Sequence, residues 1–118
     1  MSYVDGYVMV VPKKNLKAYK RMATQGGKAW MKHGALQYFE CVGDDLNITG
    51  MPFSFPKLQK LKKNEASVFS FIIYKSRAHR DAVNKKVMMQ MQKEKPPKKM
   101  PFDFKKMAFG GFKTLVEY

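Results

Sequence analysis

Three features of the 118-residue chain predict an α+β domain in the order β-α-β-β-α-β. Four stretches carry apolar residues at strand period or in short continuous runs. Two others carry them three and four apart, and capping or breaking residues stand at the joins. A chain of this length fits one domain, residues 1–118.

Tyr3–Val11 (YVDGYVMVV) is rich in β-branched and aromatic residues and stops at Pro12, which has no amide hydrogen for a ladder. Its alternation sets Val4, Gly6, Val8 and Val10 on one face and Tyr3, Asp5, Tyr7, Met9 and Val11 on the other. Asn15 is the expected N-cap of the first helix. Leu16, Tyr19, Ala23, Gly26 and Trp30 then form one stripe, with most of the lysines off it. His33-Gly34 closes that helix. Gly26-Gly27 within it marks either close packing on the sheet or a break into two pieces.

Ala35–Gly43 and Ala66–Tyr74 read as the second and third strands, separated by a long connection, Asp44–Glu65, that is functional or partly structured. Ser76 caps a second helix from Arg77 to about Met91, with Val83, Val87 and Met91 in one stripe. Gln92–Lys99 breaks the pattern. Lys105–Val116 reads as the fourth strand, its Gly110-Gly111 pair marking a bulge or a close backbone approach.

This order closes most simply as a ferredoxin-like sandwich: a four-stranded antiparallel sheet with two helices on one face. The third strand is apolar on both sides, with Phe69, Phe71 and Ile73 facing one way and Val68, Ile72 and Tyr74 the other. Two helices cover only one side. A second copy covering the bare side is therefore expected, making a homodimer.

Composition excludes several classes. No apolar run reaches the roughly 18 residues of a membrane span. No signal peptide precedes Tyr3, and Cys41, the only cysteine, excludes an internal disulfide. A cytoplasmic protein without membrane attachment is expected. Lys+Arg 23 against Asp+Glu 9 gives a net charge of +14, nearly all of it lysine spread along the chain. His33 and His79 belong to no metal-binding spacing, and there is no phosphate loop or nucleophile elbow. Neither a metal nor a cofactor is expected.

The chain resembles the YbaA-like family, domain of unknown function 1428. The resemblance rests on Tyr3-Val4-Asp5-Gly6-Tyr7, Gly34-Ala35-Leu36, Glu40-Cys41 with Asp44-Asp45, and Val68-Phe69-Ser70. It continues through Tyr74-Lys75-Ser76, Arg80-Asp81 with Asn84, Met100-Pro101-Phe102-Asp103 and Gly110-Gly111-Phe112. That family is similar to the dimeric α+β barrels, which implies the same dimer and supplies no reaction.

Candidate site residues follow from misplaced polarity. Asp5 stands mid-strand between tyrosines, where an unpaired carboxylate costs several kcal/mol. It is expected on the dimer-covered side, with Tyr7, Tyr38, Tyr74 or Ser70 as donors. Glu40 and Asp45 gather carboxylates at the end of the second strand, and paired carboxylates divide acid and base roles. Arg80, beginning the second helix, is suited to clamp an acid from a loop.

A small-molecule ligand is therefore expected, with Asp5, Glu40 and Asp45 as candidate proton donors or acceptors and Tyr38, Arg80 and Tyr7 orienting it. Structural pairing alone also accounts for these residues. The alternative is a basic RNA- or DNA-binding module acting through lysine. Val68–Tyr74 imitates the aromatic strand of RNA-recognition motifs but lacks the preceding basic residue and glycine. A partner-binding domain using the connection after Asp44 is a third reading.

Overall fold

The computed structural model describes residues 1–118. Four strands, β1 (Tyr3–Pro12), β2 (Gln37–Val42), β3 (Glu65–Tyr74) and β4 (Ala108–Lys113), form one sheet in the order β2-β3-β1-β4. Every pairing is antiparallel. β1 and β3 pair over ten residues, from Tyr3 opposite Tyr74 to Pro12 opposite Glu65, and make the spine of the molecule. Three helices accompany them: α1 (Leu16–Lys32), α2 (Phe55–Gln59) and α3 (Arg77–Gln92). None is long and apolar enough to cross a membrane.

Strand parity decides what lies under α1 and α3. Asp5, Tyr7, Met9 and Val11 of β1 share one face with Val68, Ser70, Ile72 and Tyr74 of β3, and the helices cover that face. Two clusters make the core beneath them. Tyr19 and Ala23 of α1 pack on Met9, Val11 and Val68, while Ala29 of α1 with Val83 and Val87 of α3 packs on Ile72 and Tyr74. At about 25 cal/mol per Å² of apolar surface removed from water, these contacts are the main term holding the layers together.

Gly26-Gly27 does not break α1. A Cβ at Gly27 would stand 3.0 Å from the Tyr38 ring, so the pair exists to let β2's tyrosine pass close beneath the helix. Gly110-Gly111 likewise makes no bulge, since both stay in register with Gly6 and Asp5. A side chain at Gly111 would strike the Tyr3 hydroxyl.

Other local expectations need correction. Asn15 sits at the helix cap position without capping it; its Nδ2 donates to the Pro101 carbonyl at 3.2 Å, tying the start of α1 to the loop before β4. β2 is shorter at both ends than Ala35–Gly43, because Gly34 turns with φ +112° and Ala35 drops into the core. β4 starts later than Lys105. Phe104–Lys106 is a 3₁₀ turn, and the Asp103 side chain accepts from the Lys105 amide at 3.0 Å.

The long connection carries α2, which Ser54 caps. This helix lies on the face opposite α1 and α3. Phe55 meets Phe69 edge to face at 6.4 Å, and Gln59 accepts from Ser67 Oγ at 2.5 Å while donating to the Met9 carbonyl at 3.1 Å. α2 covers only the end of that face near Val10 and Ser67. Phe39 and Phe71 stack in the open at 4.8 Å, and Phe112 is 61% exposed.

Candidate functional site

Apart from Asp45, the expected site residues fall in or between two neighbouring groups on the helix side of the sheet. Asp5 is completely buried, on the helix side of the sheet. The expectation that it faces a second subunit is corrected by its register with Ile72, whose face carries α1 and α3. Its partner is Arg80 of α3, which donates through Nη1 to Asp5 Oδ1 at 3.1 Å. Arg80 therefore clamps an acid of the central strand and not one from a loop.

The same guanidinium donates to the Tyr3 hydroxyl at 3.3 Å and lies 5.0 Å from the Tyr3 ring centre. Its Nε stands 2.9 Å from Asp81 Oδ1, an ion pair bent too far to be a hydrogen bond. Asn84, one helical turn beyond Arg80, donates to Asp5 Oδ2 at 3.4 Å. Its Oδ1 accepts from Tyr74 and Trp30, each at 3.0 Å. Burial pushes the Asp5 carboxyl above its ordinary value, although Arg80, Asn84 and Tyr74 all favour the charged form.

The second group centres on Glu40 of β2. Tyr19 of α1 donates to its Oε1 at 2.6 Å and Tyr38 to its Oε2 at 2.7 Å. These are short, charge-assisted bonds. Burial, and then the Glu40 carboxylate itself, push both phenols far above their usual range, so each remains a donor at neutral pH. Tyr7 stands between the groups. Burial first, then the charges of Asp5 and Glu40, hold its hydroxyl protonated as well. Its ring stacks on Phe109 of β4 at 4.7 Å.

Glu40, an exposed residue, lines an open groove between α1 and β2, about 860 Å³ in volume. The walls are mainly apolar, from Leu16, Ala23 and Met31 of α1 and from Leu36 and Val42 beside the edge of the sheet. Lys20 and Lys28 stand along the α1 lip. β2 is an edge strand, so its outer backbone groups also face this space. An apolar ligand with one polar end would find apolar walls and a fixed, tyrosine-braced acceptor there.

Asp45 joins neither group; it is exposed in the connection after β2, as is Asp44. Cys41 is exposed on the opposite parity of β2. No three His, Cys, Asp or Glu side chains gather closely enough to hold a metal ion. The sequence reading missed Tyr19, Asn84, Tyr3 and Trp30. Tyr19 and Trp30 fall in the apolar stripe of α1, which hides the polar tip that each carries. Asn84 appears in the family resemblance beside Arg80-Asp81, and its four-residue spacing from Arg80 puts the two on one helix face.

Fold and site together define a small α+β domain with a buried acid–arginine network beside a tyrosine-braced carboxylate groove. The chain belongs to the family described as Protein of unknown function (DUF1428), whose model matches residues 2–104. It is 38% identical over 117 residues to "Uncharacterized protein YbaA" of Escherichia coli strain K12, covering 99% of both chains. The same figures hold for the YbaA proteins of Escherichia coli O157:H7 and Shigella flexneri. Among solved structures, the de novo designed protein Foldit4 aligns over 99% of this chain and 100% of its own at 8% identity. Its TM-score of 0.46 is too low to bear on function.

Proposed function

We propose that this chain binds a small, largely apolar molecule in the groove between α1 and β2, with Glu40 and its two tyrosines meeting the ligand's polar end. The observation that carries this reading is the pairing of Tyr19 and Tyr38 on the two oxygens of one carboxylate inside a mainly apolar groove. Packing alone does not require a carboxylate there. Each Glu40 oxygen keeps acceptor capacity beyond its tyrosine, so a ligand hydroxyl or amine has a place to donate. Asp5, Arg80 and Asn84 lie behind the groove and hold β1 against α3.

The strand order β2-β3-β1-β4, with both long helices on one face, supports a ferredoxin-like sandwich. The exposed aromatics Phe39, Phe69 and Phe112 on the other face support a homodimer of α+β barrel type, in which two sheets face each other. The groove lies on the helix side, so dimerisation leaves it open.

Native mass spectrometry of protein purified without detergent tests both parts. A mass matching two chains is expected, with a small-molecule adduct that Glu40→Ala loses while the dimer survives. A monomer at micromolar concentration removes the barrel. Absence of any adduct, followed by failure to bind across an apolar fragment library, removes the ligand.

A further inference from the structure

The fold gathers lysines that the sequence scatters. β1 ends at Pro12 and α1 begins just beyond, while β3 starts at Glu65 and the 3₁₀ turn before β4 returns to the same end of the sheet. Lys13, Lys14 and Lys17 therefore lie at the same end of the sheet as Lys62 and Lys63 from before β3, and Lys99, Lys105 and Lys106 from before β4. Two contacts tie these stretches together. The Lys13 amide donates to the Asn64 carbonyl at 2.9 Å, and Lys106 Nζ lies 3.4 Å from Glu65 Oε2.

Lys14, Lys99 and Lys106 line one cleft of about 320 Å³, together with Asn15, Met100 and Phe102. Two carboxylates lie in it, and both are already engaged. Glu65 accepts from the Lys62 amide at 2.8 Å and pairs with Lys106, contacts that hold its carboxyl below the ordinary value; Asp103 accepts from the Lys105 amide. The amino end of α1 adds its positive dipole to the same region. At the other end of the sheet the positive excess is smaller, with Lys32, Lys75, Arg77, Arg80 and Lys113 set against Asp5, Asp81 and Glu117.

One aromatic ring lines the cleft and a second stands next to it. Phe102 lines it and meets Phe104 edge to face at 5.0 Å, and Phe104 is 58% exposed with lysines at the next two positions. Lysines that track a phosphate backbone, beside a ring on which a base stacks, are the two elements of single-strand binding. We propose that this cleft and its lysine rim bind single-stranded nucleic acid with little sequence preference. A concave site favours a strand over a membrane surface, which an apolar protrusion would enter. Lysine, lacking arginine's fork, holds phosphate without reading bases. The site lies at the strand ends, clear of the open sheet face, so it does not compete with a dimer for that face.

Fluorescence anisotropy of a labelled 20-mer of deoxythymidine, titrated with the full chain from 50 to 300 mM salt, tests the proposal. The triple variant Lys14→Gln, Lys99→Gln, Lys105→Gln is expected to bind at least tenfold more weakly and to lower the salt slope by about 2. A control removing equal charge elsewhere, Lys32→Gln, Lys85→Gln, Lys86→Gln, is expected to stay within about threefold of wild type. Phe104→Ala should weaken the oligonucleotide by about tenfold and leave heparin binding unchanged. Equal losses in the two triple variants, no binding at 50 mM salt, or tighter binding to phosphatidylserine vesicles than to the oligonucleotide would each overturn it.

Discussion

Arg80 donates to Asp5 across 3.1 Å, joining the first turn of α3 to the third residue of β1. Asp5 is wholly buried, and Asn84 couples the pair to Tyr74 and Trp30. Breaking a buried pair by removing one partner strands the other charge, which is far costlier than losing a surface bridge. Arg80→Met should therefore destabilise the fold by about 3 kcal/mol in urea unfolding. Asp5→Asn, which keeps the shape and removes the buried charge, should cost about half as much. Equal, negligible losses in both would show that α3 is held by its apolar face alone.

The pH dependence follows from the direction of the Asp5 shift. Its carboxyl lies above the ordinary value because burial outweighs Arg80. The folded chain thus holds that proton to higher pH than the unfolded chain does. Asp5's contribution to stability is greatest below the unfolded value of 3.8 and falls as pH rises through the folded midpoint, then stays level. Relative to Asp5→Asn, the wild type should lose stability across that window. Carbon-13 NMR of the carboxyl should find the midpoint above 3.8, and higher still in Arg80→Met. A midpoint below 3.8 would mean that the ion pair outweighs burial.

Gly27 is argued by its neighbour and not by its backbone. Alanine there gains about 1 kcal/mol of helix propensity but sets a Cβ 3.0 Å from the Tyr38 ring. That ring has little room to retreat, being bonded to Glu40 and 6.1 Å from Trp30. Overpacking of this kind costs about 1–3 kcal/mol, so Gly27→Ala should be net destabilising by about 1 kcal/mol. It should also shift the emission of Trp30, the chain's one tryptophan. A stabilised variant with unchanged emission would show that Tyr38 is free to move.

These residues also show what the sequence could disclose. β1 and β3 were legible because runs such as ASVFSFIIY fit little else, and α1 because its apolar residues fall three and four apart. Parity placed Asp5 with Tyr7 and Met9 but could not say which face the helices take, so Asp5 was expected on the wrong side. α2 is too short for periodicity; its one signal is Ser54 preceding Pro56, a cap followed by a residue suited to a first turn. Glu40 and Tyr38 were legible as polar residues in a strand, whereas Tyr19 was hidden by fitting its helical stripe. The lysine-lined end was invisible because its members come from three separated stretches of chain.

Glu40 provides the sharpest test by substitution. Glu40→Gln keeps an acceptor for one tyrosine and removes the charge. It should bring the Tyr19 and Tyr38 hydroxyls back towards the usual phenol range while leaving the fold within about 1 kcal/mol of wild type. Ultraviolet titration of the phenols reads this directly. Unchanged titration would mean that burial alone sets both values.

Amide NMR of the labelled protein, screened against a library of small apolar and aromatic fragments, measures the central claim most directly. Saturable shifts are predicted along Tyr19–Met31 and Leu36–Val42, weakened by Glu40→Gln. Fragments that saturate only on the open sheet face or in the loop before β4, with the α1–β2 amides unmoved, would contradict it.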